Sequence, residues 1–157
     1  MIKSQELLGT FNINPFNVRH FGLTHFDMYV NGKQIADEGL TMNTGNEKTT
    51  MMGYRTLFEG SGIQHSDTGL QITHDNYING YFTLLFDLTP EHSASEERAS
   101  PSESGNIRVE LKFDKAITDA VTCLLYLEHE GSIQVDKARN VTIDFYKRWT
   151  PCKFTAR

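Results

Sequence analysis

Residues 23–36 read LTHFDMYVNGKQIA, and the alternation within them decides the fold. Leu23, His25, Asp27 and Tyr29 fall on one parity, and Thr24, Phe26, Met28 and Val30 on the other, up to Asn31-Gly32. Side chains of an extended strand point alternately to its two faces, so a run of this kind marks a strand. Asn-Gly behind it favours a type I′ turn, in which both central residues take positive φ. The stretch predicts a β-hairpin, and with it an antiparallel sheet.

Outward from this hairpin the same period recurs. In NIRVELKF (106–113), Ile107, Val109, Leu111 and Phe113 line one face and Arg108, Glu110 and Lys112 the other, the pattern of a half-exposed strand. AVTCLLYLEHE (120–130), SIQVD (132–136) and NVTIDFYKRW (140–149) supply further strands, with Gly131 as a hairpin turn between the first two. Upstream, GTFNINPF (9–16) reads as a short strand ended by Pro15, which cannot donate to a ladder. NGYFTLLFDL (79–88) is apolar on both parities through Tyr81, Phe82, Leu84, Leu85 and Phe86, which predicts an inner strand covered on both sides.

Only the middle of the chain carries a helical period. NEKTTMMGYRTLFE (46–59) spaces Met51, Tyr54, Leu57 and Phe58 as one face of a helix, with Asn46 or Thr44 available as N-cap. ITHDNYING adds a helical turn before the 79–88 strand, opened by Thr73 as cap with Asp75 in the first turn. The sum is an all-β chain: an antiparallel eight-stranded jelly-roll sandwich with one short helix inserted in a crossover loop. An immunoglobulin-like sandwich fits less well, because no Cys…Trp…Cys spacing is present.

The 157 residues, 38% of them hydrophobic, suit a single domain spanning 1–157, with a core at about 9–149. A chain of that size buries roughly 70% of its extended surface without staples. EHSASEERASPSES (91–104) holds no apolar side chain larger than Ala and is expected to be a mobile, acidic, solvent-facing loop through Glu91, Glu96, Glu97 and Glu103. Residues 147–157 are expected to be a C-terminal tail. Cys123 and Cys152 show no metal-ligand spacing and read as free thiols in a reducing compartment. MIKSQELLGTF lacks the apolar centre of a signal peptide, and no run approaches a membrane span, so neither secretion on its own signal nor membrane insertion is expected. A formal charge of −5 with scattered basic residues argues against a specific nucleic-acid partner.

The chemistry-bearing residues do not assemble into a motif. The histidines, His20, His25, His65, His74, His92 and His129, form no H-x-H or H-x-x-x-H pair of the sort a metal-binding jelly roll places on adjacent strands. His25 and His129 read as strand-face residues and His92 as a loop residue. Ser61 sits in a turn, outside any G-x-S-x-G elbow, and Gly60-Ser61-Gly62 lacks the strand before it and the Gly-Lys-Ser/Thr after it that a phosphate loop needs. Glu128 and Glu130 flank His129 on one strand face, which marks a wet edge better than a catalytic pair. Asn140-Val141-Thr142 matches a glycosylation sequon but falls inside a predicted strand. No catalytic, cofactor-binding or metal residue is assigned, no cofactor is expected, and an enzyme is the least favoured class. Aromatic residues run through the whole chain as core packing, with any exposed ones suited to a protein–protein surface.

The order of segments is distinctive. NPFNVRHFGLTHFDMYVNGKQI, YRTLFEGSGI, NGYFTLLFDLTP, the polar loop and GNIRVELKFDKAITDAVTCLLYLEHEGSIQVDKARNVTIDF follow one another over roughly residues 12–146. This succession resembles the C-terminal jelly roll of the double-jelly-roll major capsid (hexon-like) proteins encoded by Maverick/Polinton elements and adintoviruses. The resemblance implies a structural protein that packs beside a second jelly roll or other capsid proteins. It further implies self-association, trimeric capsomers being the family's form, assembly inside the host cell and residence in a virion capsid. A family chain carries two sandwiches, and 157 residues hold one. The alternative is a lectin-like or receptor-binding β-sandwich derived from such a domain, since one sandwich hosts many functions.

Overall fold

The computed structural model describes residues 1–9, 11–35, 38–44, 50–89, 92–94, 105–128, 132–144 and 153–156. Along the chain the elements are β1 (Ile2–Lys3), α1 (Ser4–Leu7), β2 (Leu23–Val30), β3 (Lys33–Gln34), β4 (Leu40–Thr41) and α2 (Met51–Gly60). A 3-10 turn (Ile63–His65) and α3 (His74–Gly80) follow, then β5 (Ile107–Phe113), β6 (Val121–Thr122), β7 (Ser132–Val135), β8 (Val141–Asp144) and β9 (Lys153–Ala156). Sheet dominates over a few short helices. Every ladder is antiparallel except that β9 joins β5 in parallel.

The hairpin forms where the sequence predicts it. Asn31 and Gly32 have φ of 53° and 82°, the left-handed values a type I′ turn requires, and Tyr29 pairs Gln34 across it. β2 then runs against β5 along its full length, pairing Phe26 with Leu111, Met28 with Val109 and Val30 with Ile107 on one face. On the other face His25 meets Lys112, Asp27 meets Glu110, and Tyr29 meets Arg108, whose guanidinium lies 4.2 Å from the ring centroid. One irregularity, between Leu23 and His25, changes a face: the extra residue lets Leu23 pair Phe113 and join the apolar side.

That apolar side is the core. Leu23, Met28, Ile107, Val109 and Leu111 pack with Leu40 and Met42 from the other edge of β2 and with Leu57, Tyr77 and Phe82. α2 and α3 therefore cover the sheet. Thr73 caps α3 as expected, its hydroxyl accepting from the Asn76 amide. Phe26 stacks on Phe86 at 5.4 Å between centroids. Burial of this kind stabilises by about 25 cal/mol per Å² of apolar surface.

Several expectations are corrected. Residues 11–16 form turns rather than a strand, because the Asn14 carboxamide takes the Phe16 amide and folds the chain back on itself before Pro15 can extend it. Asn79 and Gly80 end α3 rather than opening a strand, and 82–88 runs without an assigned ladder. It is covered on one side only: Phe82 is buried and Leu84 and Phe86 half-buried, while Thr83, Leu85 and Leu88 are exposed. Its Leu85 amide donates to the Thr56 hydroxyl of α2, so a helix stands where a neighbouring strand was expected.

α2 begins at Met51 rather than residue 46, with Thr50 at the N-cap. Thr44 is buried upstream and Asn46 lies outside the described residues. Of 120–130 only Val121–Thr122 is ladder, paired with β1, and residues 129–131, including Gly131, lie outside the described residues. The hairpin that is seen joins β7 to β8, its turn closed by the Asn140 amide donating to the Asp136 carboxylate at 2.8 Å. Asn140 precedes β8 rather than lying within a strand, and 145–149 fall outside the described residues.

Ile2 is 2% exposed, so the core starts before residue 9. α1, a second helix site, is held by Arg19 against Glu6 at 2.8 Å. Part of the expected tail, 153–156, is strand. The expected loop 91–104 is described only at 92–94, where Ser93 is buried. Among the described residues the strands make one five-stranded sheet and two two-stranded ribbons.

Candidate functional site

No group of three His, Cys, Asp or Glu side chains fit to hold a metal occurs among the described residues. His20 packs edge-on against Phe82, and His74 bonds the Thr50 hydroxyl through Nε2 at 3.1 Å while lying against Tyr54 and Tyr77. His92 has a φ of 50° in the turn after Asp87. His129 and Glu130 lie outside the described residues, and Glu128 is exposed. Ser61 is spent on its own helix, donating to the Leu57 carbonyl. No described helix is long and apolar enough to cross a membrane.

His25 pairs with a carboxylate of its own strand. Its Nε2 lies 2.8 Å from Asp27 Oδ2, its Nδ1 3.2 Å from the Thr41 hydroxyl of β4, and Asp27 Oδ1 accepts from Gln34 Nε2 of β3 at 2.8 Å. A carboxylate only accepts, so the neutral ring carries its proton on Nε2 and receives the threonine hydroxyl at Nδ1. Gly39 closes over the pair: a Cβ there would sit 2.0 Å from Asp27 Oδ1. This network ties both short strands to one edge of β2. The His25–Asp27 pair is absent from the sequence reading, although the His-x-Asp spacing on one strand face is a signal for it, whereas Thr41 and Gln34 reach it only through the hairpin and the return strand. The network acts as a clasp that joins β3 and β4 to β2.

Cys123 and Asp87 are among the titrating groups displaced by their surroundings. Burial pushes the Cys123 thiol up and favours its protonated form, against the opposing pull of the N-terminal ammonium. Burial alone would raise the Asp87 carboxyl, but bonds from the Thr89 and Ala94 amides and the Thr89 hydroxyl prevail and hold it below the usual range. Asp87 thereby organises the start of the loop after 82–88.

The apolar surface is the more informative feature. Leu8 is 85% exposed, Phe11 103% and Phe16 76%, all on the irregular segment between α1 and β2. Tyr126 is 86% exposed and Leu124 58%. A groove of about 640 Å³ opens along α2 and the turn after it, lined by Met51, Met52, Tyr54 and Phe58 with Ile63 opposite. Its charged rim residue, Arg55, is paired with Glu59 at 2.6 Å. Helical spacing assigned Met51 to the core, yet it is 56% exposed. Phe11 read as a strand residue and escaped notice as a surface one. Comparison with protein families, curated proteins and solved structures finds no match to this chain.

Proposed function

We infer that the chain is a structural protein, a jelly-roll capsid domain of the double-jelly-roll major capsid lineage that self-assembles into capsomers of a virus-like shell. The exposed apolar side chains at Leu8, Phe11, Phe16, Leu124 and Tyr126 carry this reading, because exposed aromatic and leucine side chains can serve contacts with another copy. The ordered segments over 12–146 and the β2–β5 ladder support it. In this reading 82–88 and 123–128, which carry no assigned ladder, are strands of an eight-stranded sandwich that packs beside a companion domain. The chain then folds as one domain and resides in the capsid, with no reaction, metal or cofactor of its own.

Solution mass by light scattering over a concentration series tests it. A trimer or larger closed ring is expected; a strict monomer at every concentration overturns it. A second reading, a lectin-like or protein-binding module, is favoured by Asn12, Asn14 and Asn17 standing beside exposed Phe11 and Phe16, an amide-and-ring combination suited to sugars. Binding on a glycan array by a monomeric chain is the result that selects it.

A further inference from the structure

We propose that residues 121–128 form an edge along which two copies of this chain pair, antiparallel and about a twofold axis at Leu125. The inference rests on the assembly reading above and names a contact it would use. β6 is ladder at Val121 and Thr122, against β1. Beyond it, among the described residues, no amide or carbonyl of 123–128 joins a hydrogen bond. The side chains nonetheless keep a strand's two faces: Cys123 and Leu127 pack against the core, while Leu124 and Tyr126, on the other parity, are 58% and 86% exposed. That combination specifies the chemistry of the occupant. A row of free backbone donors and acceptors is matched in register by another strand, whereas a lipid tail or a helix face offers no such row.

Which strand it is follows from the edge itself. Residues 120–127 read AVTCLLYL, without the charges, prolines or glycines by which solitary edges are kept from pairing. The edge is also complementary to its own copy. A twofold at Leu125 sets Leu124 beside the other copy's Tyr126, Cys123 beside its Leu127 and Thr122 beside its Glu128. Outward residues meet outward ones, inward meet inward, and Glu128, the one charge of 121–128, never faces its like. Leu125 meets itself, which gives a use to its 40% exposure on the parity that otherwise packs inward. Antiparallel pairing is the form of the chain's own ladders, that of β5 with β9 excepted. Such a contact is isologous and closes on two copies, so it joins one capsomer to the next rather than closing a ring.

Disulfide trapping in the full chain tests the register, each variant first shown to keep the wild-type circular dichroism. With Cys123→Ala and Cys152→Ser removing the native thiols, Leu125→Cys should cross-link two copies under mild oxidation. Directly opposed residues lie ~4.5–5.5 Å apart between Cα atoms, within the span of a disulfide. Leu124→Cys and Tyr126→Cys should each stay uncross-linked alone and cross-link when mixed. Sedimentation velocity on Leu124→Lys, at an exposed position, reads the contact independently: each twofold contact loses two apolar pairs, so copies should pair about tenfold more weakly. Self-cross-linking at 124 or 126 in place of 125 overturns the proposal. So does the absence of any cross-link together with wild-type association by Leu124→Lys, and closed rings formed by the wild type would then leave the assembly reading standing. A wild type that forms pairs trapped at Leu125 and no ring upholds the contact without the ring. A monomer at every concentration overturns both.

Discussion

Tyr77 shows how much a single side chain sets here. It is 0% exposed, packed against Tyr54, His74 and Phe82, and its hydroxyl has no hydrogen-bond partner among the described residues. Burial alone pushes its phenol far above the usual tyrosine range. Tyr54 next to it differs, its hydroxyl donating to the Ile72 carbonyl at 2.6 Å. A buried polar atom without a partner costs about 1–3 kcal/mol, against a small loss of packing on removing one oxygen. Tyr77→Phe should therefore stabilise the chain by about 1 kcal/mol, whereas Tyr54→Phe should destabilise it by a similar amount. Urea unfolding of the two variants measures both, and a clear loss of stability in Tyr77→Phe would show that the hydroxyl is bonded in solution.

At the scale of elements, the contact between α2 and the extended 82–88 segment replaces the strand pairing that the sequence suggested. Gly60, the last residue of α2, makes it possible: a Cβ there would lie 2.7 Å from the Leu85 carbonyl oxygen and 2.8 Å from its carbon, and backbone does not swing aside. In an exposed helix, Gly to Ala gains about 1 kcal/mol, but overpacking costs about 1–3 kcal/mol. Gly60→Ala should thus lower stability, with a fall in the unfolding midpoint that thermal denaturation detects; a rise would mean that 82–88 is not seated on α2. The apolar density of 82–88 was legible, but which parity faces inward was not, because Tyr81 and Leu85 are as hydrophobic as their buried neighbours. The hairpin at Asn31-Gly32, the alternation of 107–113 and the Thr73 cap were legible because each depends on local chemistry: positive φ, period two, an accepting hydroxyl. The bulge that turns Leu23 inward, the two-residue strands and the groove beside Met52 depend on where distant segments lie, and no local pattern records that.

Over the whole molecule, stability is distributed unevenly. The β2–β5 ladder is bound on one face by the core and along its edges by β3, β4 and β9. Among the described residues β7 and β8 contact each other and no other named element, and their paired Val135 and Val141 are 64% and 59% exposed. An isolated two-stranded ribbon is marginal in water, so a surface that covers the exposed Val135 and Val141 would steady it. In a capsomer the covering surface would be a neighbouring domain, which ties the ribbon to the assembly reading. Hydrogen exchange separates the cases, because amides report the free energy of the opening that exposes them. In dilute, monomeric protein the amides of β7 and β8 should exchange orders of magnitude faster than those of β2 and β5. Raising the concentration until the chain associates should slow β7 and β8 selectively, while β2 and β5, already limited by global unfolding, change less. Equal protection of ribbon and central ladder in the monomer would instead mean that the ribbon is packed within the chain and takes no part in assembly.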